Sequence, residues 1–208
     1  MQSIQTVSEN TIYVGASDRR LAKFENLFPI PRGVSYNAYV ILDEKTALLD
    51  TADASVGAQF LENVAAALDG RKLDYLIVNH MEPDHAAMIE AVLVRWPDLR
   101  LVVNAKTLPM LKMYFPTDNA AIDDALVVKE GDTLDLGKHK LTFVMAPMVH
   151  WPEVMMTFDT TTGTLFSADA FGTFGALEGA LFADEVDFAG KWLDDARRYY
   201  TNIVGKYG

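Results

Sequence analysis

DYLIVNHMEPDHAAMIE, residues 74–90, runs from an apolar segment directly into a cluster of ligand-type side chains. DYLIVN is apolar on both faces, which predicts a strand in the covered centre of a sheet. The next segment, HAAMIEAVLVRWPDL, has helical periodicity. Functional groups of α/β proteins collect at the carboxyl ends of strands, where the chain leaves the core. The stretch therefore predicts a central strand with a site at its end.

The cluster contains two histidines and two carboxylates within six residues: His80, Glu82, Asp84 and His85. An extended chain alternates faces, so His80, Glu82 and Asp84 can point to one side. The turn into the helix brings Asp84 and His85 together, and the spacing offers two ligand pairs for two neighbouring metal ions. The alternative is a polar helix entrance with Asp84 as the N-cap. Four such groups at a strand end would cost stability unless a cation neutralised them, which favours metal.

Strand-like segments cluster in both halves of the chain and alternate with helical ones. The predicted strands are TIYVGA, YNAYVILD, TALLDT, DYLIVN, RLVVN, ALVVKEGDTLDLG, HKLTFVMAP, EVMMTFD and TLFSAD. The predicted helices are 52–68, HAAMIEAVLVRWPDL, AKTLPMLKMYF and the amphipathic segment 184–208. This order predicts two sheets packed face to face under outer helices, in one domain over residues 1–208. Arg197 to Tyr200 are interpreted as part of a helix that has one solvated face and no site role.

Two later strand ends supply further ligand-type residues. His150 follows LTFVMAP, and Asp169 follows the apolar segment TLFS. Each alone is as well explained by a loop or turn, but with the first cluster they make six candidate metal ligands on three strand ends. His139, in the polar segment GKHK, is predicted to lie on the surface. The Thr-rich segment 159–164 joins two strand-like segments, which favours a hairpin turn over a phosphate-binding loop.

Composition narrows the class of protein. The formal charge of −11 disfavours nucleic acid and anionic membrane surfaces as partners. The chain has no cysteine, which removes thiolate metal sites and disulfides and fits a cytoplasmic location. No apolar run approaches the length of a membrane span, and the N-terminus lacks the apolar region of a signal peptide.

The spacing His80-x-Glu82-x-Asp84-His85, followed by His150 and Asp169, resembles the iron-binding pattern of flavodiiron proteins. The resemblance extends to FENLFPIPRGVSYNAYVI, ALLDT, HWPEVMMTFD and RRYYTNIVGKYG, and so covers nearly the whole chain. It implies a metallo-β-lactamase-like αβ/βα four-layer sandwich that carries two non-haem irons. His80, Glu82 and His150 would hold one iron, Asp84 and His85 the other, and Asp169 would bridge them. Zinc hydrolases of the superfamily have His where Glu82 stands, and a carboxylate moves the preference toward iron.

The resemblance also implies parts that the sequence does not contain. The seventh family ligand is a histidine in a later His-Gly-Pro loop, whereas no histidine follows His150. The family's flavodoxin-like domain, which holds FMN, is not present either. We therefore expect a sandwich that is incomplete at its C-terminus, with a weaker second iron position. Electrons would come from a flavodoxin-like or rubredoxin-type donor, and the head-to-tail homodimer of the family is left open.

The function predicted on this basis is the diiron domain of an oxidoreductase that reduces O2 to water or NO to N2O. Met81, Met148, Trp151, Phe171 and Phe174 are candidates for an apolar gas pocket, although ordinary core packing explains each one as well. Two other functions are kept open. One is a diiron module that binds O2 or NO reversibly and signals to a partner. The other is a zinc hydrolase of the same fold, against which Glu82 argues.

Overall fold

The computed structural model describes residues 3–115 and 120–208. The predicted domain of residues 1–208 includes 1–2 and 116–119, which lie outside the described part. The strands are β1 (Gln5–Ser8), β2 (Thr11–Tyr13), β3 (Ala16–Asp18), β4 (Lys23–Phe24), β5 (Phe28–Pro29), β6 (Val34–Tyr36), β7 (Tyr39–Leu42), β8 (Thr46–Leu49), β9 (Tyr75–Ile77), β10 (Arg100–Asn104), β11 (Leu126–Val128), β12 (Thr133–Asp135), β13 (Lys140–Met145), β14 (Met155–Asp159) and β15 (Thr164–Phe166). The α-helices are α1 (Gly57–Leu68), α2 (Pro83–Ala86), α3 (Ile89–Arg95), α4 (Thr107–Tyr114), α5 (Ala120–Asp123), α6 (Phe188–Lys191) and α7 (Leu193–Tyr199).

Two sheets form the centre of the molecule, as the alternation of strands and helices predicts. The larger sheet has the order β1-β2-β7-β8-β9-β10-β11, and the smaller has the order β12-β13-β14-β15. In the larger sheet β8, β9, β10 and β11 run parallel, while the smaller sheet is antiparallel throughout. Two short two-stranded sheets, the antiparallel pair of β3 with β6 and the hairpin of β4 with β5, were not predicted.

The two sheets pack face to face over a closed apolar layer. Ile77 of β9 and Leu49 of β8 point from the larger sheet into this layer, where they join Phe143 of β13 and Met155 of β14. All four side chains are almost completely buried. The opposite face of β9 contributes Leu76 to a second core beneath the helices. Both faces of β9 are therefore covered, as its uninterrupted apolar sequence predicts.

Helices cover the outer face of the larger sheet. Phe60 and Val64 of α1, Ile89 of α3 and Leu111 of α4 are buried in this second core. The helix predicted over residues 52–68 begins with a 3-10 turn, Ala54–Val56, which the side chain of Asp53 caps, and continues as α1. Among the described residues no helix has the length and apolar character to cross a bilayer.

Pro109 is tolerated in α4 for a simple geometric reason. It is the third residue of a helix that begins at Thr107. Backbone N–H groups in the first turn have no intrahelical acceptor, so proline loses no hydrogen bond there.

The C-terminal segment differs from the single amphipathic helix predicted for residues 184–208. It consists of a 3-10 turn (Ala183–Glu185), α6, α7, a π-helical turn (Tyr200–Val204) and a last 3-10 turn (Gly205–Tyr207). Trp192, Tyr199 and Ile203 are nevertheless buried, as their spacing predicts, while Phe188 is half-buried. The apolar face was predicted correctly, but the breaks between its helical pieces were not.

His139 is a correction to the sequence analysis. It was predicted to lie on the surface, yet it is 2% exposed, and its Nδ1 lies 2.8 Å from Oδ2 of Asp159. Its backbone N–H donates to Asp43 over 2.6 Å. The polar segment around it misled the prediction, because the partner carboxylate comes from another strand. Asp159 itself ends β14, and the turn to β15 is the predicted hairpin.

Candidate metal centre

The candidate site lies at one edge of the sandwich, where the parallel strands of the larger sheet end. His80 follows β9 after Val78 and Asn79, and Asp50 follows β8 at the same edge. Loops from the smaller sheet reach this edge as well, and they carry His150 before β14 and Asp169 after β15. All six sequence-predicted ligand residues therefore converge from three separate segments of the chain, as parallel strand ends and facing sheets allow.

The first cluster consists of His80, Glu82, His150 and Asp169. Each of these residues offers one ligand atom, and the four atoms lie within 4.8 Å of one another. Nε2 of His150 lies 2.8 Å from Oε2 of Glu82, and Nε2 of His80 lies 3.4 Å from the same oxygen. Three of the residues are buried and His150 is half-buried. Four converging imidazole and carboxylate groups form a donor set that a divalent transition metal accepts.

The second cluster consists of Asp84, His85 and Asp169, again within 4.8 Å. Nε2 of His85 lies 3.8 Å from Oδ2 of Asp84. The backbone of His85 is held by Thr51, whose N–H and hydroxyl both donate to the His85 carbonyl, over 2.8 and 2.7 Å. This cluster has one ligand-type residue fewer than the first.

Asp169 belongs to both clusters, and its two oxygens face different ones. Oδ2 lies 3.1 Å from Nε2 of His80 and 3.4 Å from Nε2 of His150. Oδ1 lies 3.1 Å from Nε2 of His85. A carboxylate directed in this way has the geometry of a bridging ligand between two neighbouring cations.

Several atoms of the site are buried without a hydrogen-bond partner among the described residues. They include Nε2 of His80, Oδ1 of Asp84 and Oδ2 of Asp169. Buried polar atoms are rarely left unpaired, because an unpaired group loses its hydration without compensation. Their convergence fits a metal, which would coordinate these atoms directly.

The Asp84 N-cap alternative does not describe this site. Glu82 holds the N-cap position of α2 without a side-chain hydrogen bond, and Asp84 lies within the first helical turn. The helix also begins two residues earlier than the predicted start at His85, so the extended stretch ends at Glu82. Asp84 therefore faces the site from a helix, beside His85.

The histidines of the site bind protons tightly when carboxylates are their only partners. Burial opposes the charged form of His150, but the nearby carboxylates of Asp169 and Glu82 outweigh it and raise its pKa to about 9. Burial likewise opposes protonation of His80, yet the nearby carboxylates of Asp169 and Glu153 raise its pKa well above the usual range. The pKa of His85 is raised well above the usual range against the effect of burial, chiefly by the charges of Asp84 and Asp169.

The carboxylates divide into two kinds. Burial opposes ionisation of Glu82, but the hydrogen bond from His150 and the nearby imidazole of His80 lower its pKa to about 2. Burial opposes ionisation of Asp169, but the charge of His85 and the nearby imidazoles of His150 and His80 outweigh it and lower the pKa of Asp169 well below its usual value. Burial raises the pKa of Asp84 to about 7, aided by the negative charge of Asp169. Without a metal, protons on the histidines supply the positive charge that neutralises the carboxylates. A bound metal would supply that charge instead.

Four further residues contact this constellation and were not singled out from the sequence. Glu153 and Asp50 lie behind His80 and His85, at 2.8 and 3.4 Å from the two Nδ1 atoms. The Tyr199 hydroxyl donates to Oδ1 of Asp169 over 2.5 Å, which corrects the interpretation of this helix as free of a site role. Burial and the nearby carboxylate of Glu82 raise the pKa of Glu25 to about 7.

Only Asp50 had a usable sequence signal. It follows the buried strand β8, which is the same strand-end rule that identifies His80. Glu153 precedes a strand, Tyr199 lies on a helix that is distant in sequence, and Glu25 lies in a hairpin that was not predicted. Their contacts depend on the packing of elements far apart along the chain.

A cavity of about 320 Å³ adjoins the second cluster. Asp84, His85 and Asp169 line it together with Tyr199 and Phe171. Among the other candidates for an apolar gas pocket, Met81 and Phe174 are core residues, and Met148 is partly exposed. The Trp151 ring stands perpendicular to that of His80, with ring centres 5.3 Å apart.

Two facing sheets with helices outside and a His/carboxylate site at one edge define a metallo-β-lactamase-like protein. Comparison with solved structures agrees with this class. Rubredoxin oxygen:oxidoreductase from Desulfovibrio gigas superimposes with a TM-score of 0.90 at 32% sequence identity, covering 97% of this chain and 49% of that one. The flavodiiron protein from Giardia intestinalis gives a TM-score of 0.88 at 27% identity, covering 98% of this chain and 48% of that one.

Within that class, a family described as "ODP family beta lactamase" matches residues 34–201. The chain belongs to this family, the metallo-β-lactamase-like domain of flavodiiron proteins. A nitric oxide reductase of Moorella thermoacetica is 38% identical over 200 residues, which are 95% of this chain and 49% of that protein. The chain thus spans about half the length of this relative. The family resemblance and the fold class predicted from the sequence are both confirmed.

Proposed function

We propose that the two clusters hold a pair of iron ions. His80, Glu82 and His150 would hold the first ion, Asp84 and His85 would hold the second, and Asp169 would be shared by both. The observation that carries this proposal is the orientation of Asp169, whose Oδ2 faces His80 and His150 while its Oδ1 faces His85. A site for a single ion would need only one of the two Asp169 oxygens to face ligand-type side chains.

The donor set favours iron over zinc. The six residues are three imidazoles and three carboxylates, without a thiolate, and carboxylates are hard anionic ligands. The carboxylates contribute three negative charges, so two divalent ions and one hydroxide would leave the centre neutral. Two Zn(II) ions would give the same balance, and the preference for iron therefore rests on Glu82 and on the family.

We propose further that this centre reduces NO to N2O or O2 to water. When bound, two Fe(II) ions supply two electrons and open coordination positions for a diatomic gas. The side chains hold the centre in a largely buried pocket, with Trp151 against His80 and His150. Support comes from the family and from relatives that are named nitric oxide reductase, flavorubredoxin and rubredoxin oxygen:oxidoreductase.

The electrons for repeated turnover come from outside this domain. Reduction of O2 to two waters takes four electrons and reduction of two NO to N2O takes two, whereas two Fe(II) ions would supply only two. One round of NO reduction would therefore use all of them, and O2 reduction would need two more from a donor within the same round. The described residues contain no cysteine that could hold an iron–sulfur donor. A flavodoxin-like or rubredoxin-type protein is the donor that the family suggests.

The test begins with metal content. The protein is loaded anaerobically with Fe(II), freed of excess metal, and analysed by element for iron and zinc per chain. NO is then added to the reduced protein, and N2O is quantified with and without a chemical reductant. We expect about two irons per chain, a single round of N2O formation, and repeated rounds when reductant is present.

The other outcomes decide between the alternatives. Zinc retention with esterase, thioesterase or lactamase activity would replace the proposal with a hydrolase. Reversible binding of O2 or NO without consumption would indicate a sensor module. The Glu130→Ala variant is the control. Glu130 is an exposed carboxylate that accepts the backbone N–H of Met145, at the end of β13, and it contacts neither cluster.

A further inference from the structure

Glu153 is a buried carboxylate that belongs to neither metal cluster. It is 1% exposed and lies in the loop between His150 and β14. Its Oε1 receives two contacts, from Nδ1 of His80 at 2.8 Å and from the backbone N–H of Met81 at 2.9 Å. One oxygen thus contacts both the side chain of a candidate ligand and the backbone of the next residue.

This contact determines which nitrogen of His80 carries the proton. A carboxylate can only accept hydrogen bonds, so the proton lies on Nδ1 of His80 and is directed at Glu153. In the neutral imidazole Nε2 then keeps a free electron pair. Nε2 is the atom that faces Asp169 and Glu82, at 3.1 and 3.4 Å, and it has no hydrogen-bond partner among the described residues.

Glu153 is itself held in position from a second strand end. Nδ2 of Asn104, the last residue of β10, donates to the Glu153 carbonyl over 2.5 Å. Oδ1 of Asn104 accepts from the N–H groups of Lys106 and Thr107, which anchors the amide at the start of α4. The other carboxylate oxygen of Glu153 is buried without a partner among the described residues. The carboxylate therefore interacts with His80 without a competing side-chain donor.

The second cluster has a weaker counterpart. Oδ2 of Asp50 lies 3.4 Å from Nδ1 of His85 and also accepts from Nδ2 of Asn79 at 3.3 Å. Asp50 divides its oxygens between the Asn79 backbone and these two groups. The contact between Glu153 and His80 is shorter, and the Glu153 oxygen is not shared with a second side chain as Oδ2 of Asp50 is.

We propose that Glu153 is a positioning residue of the first metal position. By accepting the Nδ1–H bond it keeps His80 in the tautomer and orientation that present Nε2 to the metal. The inference rests on the proposed function only in requiring that the first cluster binds a metal. Carboxylates that bond to a ligating histidine in this way commonly change metal affinity by about 10–100-fold when removed.

The test compares Glu153→Ala with Glu153→Gln, using Co(II) as the probe. Alanine removes the acceptor, whereas the amide oxygen of glutamine can accept from both His80 and Met81. Co(II) affinity is measured by optical titration, and the hyperfine-shifted N–H proton of the bound histidine is followed by NMR. We expect Glu153→Ala to lose about 10–100-fold in affinity for the first ion and to lose protection of this proton from exchange. Glu153→Gln should retain the protected proton and lose less than about tenfold in affinity.

Glu130→Ala serves as the matched control, because Oε2 of Glu130 also accepts a backbone N–H, from Met145, but on the surface. Circular dichroism of each metal-free variant reports on folding. Wild-type affinity and a protected proton in Glu153→Ala would overturn the inference. So would a folded Glu153→Gln that has lost the protected proton, and this comparison holds even if the alanine variant does not fold. If the wild-type protein binds no Co(II), the proposed function itself fails, which is a different result.

Discussion

At the scale of single residues, the site contains buried nitrogen and oxygen atoms that have no hydrogen-bond partner among the described residues and that a cation would coordinate. Nε2 of His80 and Oδ2 of Asp169 lie 3.1 Å apart, both buried and both unpaired among the described residues. Protons on the histidines then supply the positive charge, which explains why the pKa of His150 rises to about 9. Metal and protons therefore compete for the same nitrogen atoms.

Replacing Asp84 by Asn should remove metal from the second cluster while leaving the first. Asp84 contributes to the second cluster only, whereas the first keeps four ligand-type residues. We expect the bound iron to fall from about two ions to about one per chain, with at least a tenfold loss of affinity for the second. Elemental analysis after anaerobic loading measures this. Asp159→Asn, at a buried aspartate paired with His139, should leave the iron content unchanged. Loss of both ions from a folded Asp84→Asn protein would contradict the prediction.

The metal-free protein should lose stability as the pH rises from 6.5 to 9. The pKa of His150 is raised from 6.5 to about 9, so its contribution is complete below the unfolded value and is lost as the pH rises through about 9. Asp84, with its pKa raised from 3.8 to about 7, acts in the same direction at lower pH. Thermal unfolding of chelator-treated protein across this range measures the effect.

The metal-loaded protein should show the opposite dependence on pH. Metal binding requires deprotonated histidines, so the affinity for iron rises with pH and proton release accompanies binding. Thermal unfolding of loaded and metal-free samples at the same pH values separates the two cases. A metal-free protein that became more stable toward pH 9 would contradict the raised pKa of His150.

At the scale of secondary-structure elements, the ends of strands were predictable and the short helices were not. β9 and the following ligands obey a rule that needs only local sequence, because an uninterrupted apolar strand is buried and its end is not. α7 brings Tyr199 to Asp169, although thirty residues separate them along the chain. Spacing predicts that Tyr199 is buried but does not determine which group its hydroxyl meets.

Tyr199→Phe should therefore weaken the attachment of the C-terminal helices to the site. The change removes one buried hydrogen bond to the Asp169 carboxylate and keeps the ring contact with Phe174. We expect a loss of about 1.5–3 kcal/mol in the free energy of unfolding of the metal-free protein. Urea denaturation measures it. Tyr200→Phe, at the half-exposed neighbouring position, should change stability by less than about 0.5 kcal/mol. A loss of less than about 0.5 kcal/mol for Tyr199→Phe as well would contradict a contribution from the hydroxyl of Tyr199.

At the scale of the whole molecule, the two sheets bring together ligands that are distant in sequence. His80 and Glu82 come from the larger sheet, while His150 and Asp169 come from loops of the smaller one. The N–H of Met155 donates to the Asn79 carbonyl over 3.0 Å, which joins the sheets next to the site. A metal at this edge would link the two sheets across their interface.

Iron should consequently stabilise the folded protein as a whole. A ligand that binds only the folded state at a hundredfold excess over its dissociation constant adds about 2.7 kcal/mol. We expect anaerobic Fe(II) to raise the unfolding temperature and a chelator to reverse the rise. Mg²⁺ at the same concentration should have little effect, because histidine-rich sites disfavour it. An unchanged unfolding temperature with Fe(II) would contradict binding across the two sheets.

The sequence by itself determined the sandwich of sheets, the buried strand β9 and the six candidate ligands. Hydrophobic periodicity and strand-end position are local properties, and the ligand spacing resembles that of a known family. The family and the fold that these local patterns predicted are both confirmed.

Only the tertiary structure decided which groups support those six residues. Glu153 and Asp50 behind the histidines, Tyr199 beside Asp169, and the buried pair of His139 with Asp159 all join residues from different elements. Sequence patterns predicted His139 to be exposed because its neighbours along the chain are polar. Burial and hydrogen-bond pairing depend instead on neighbours in space, and the packing of the two sheets and the C-terminal helices determines those.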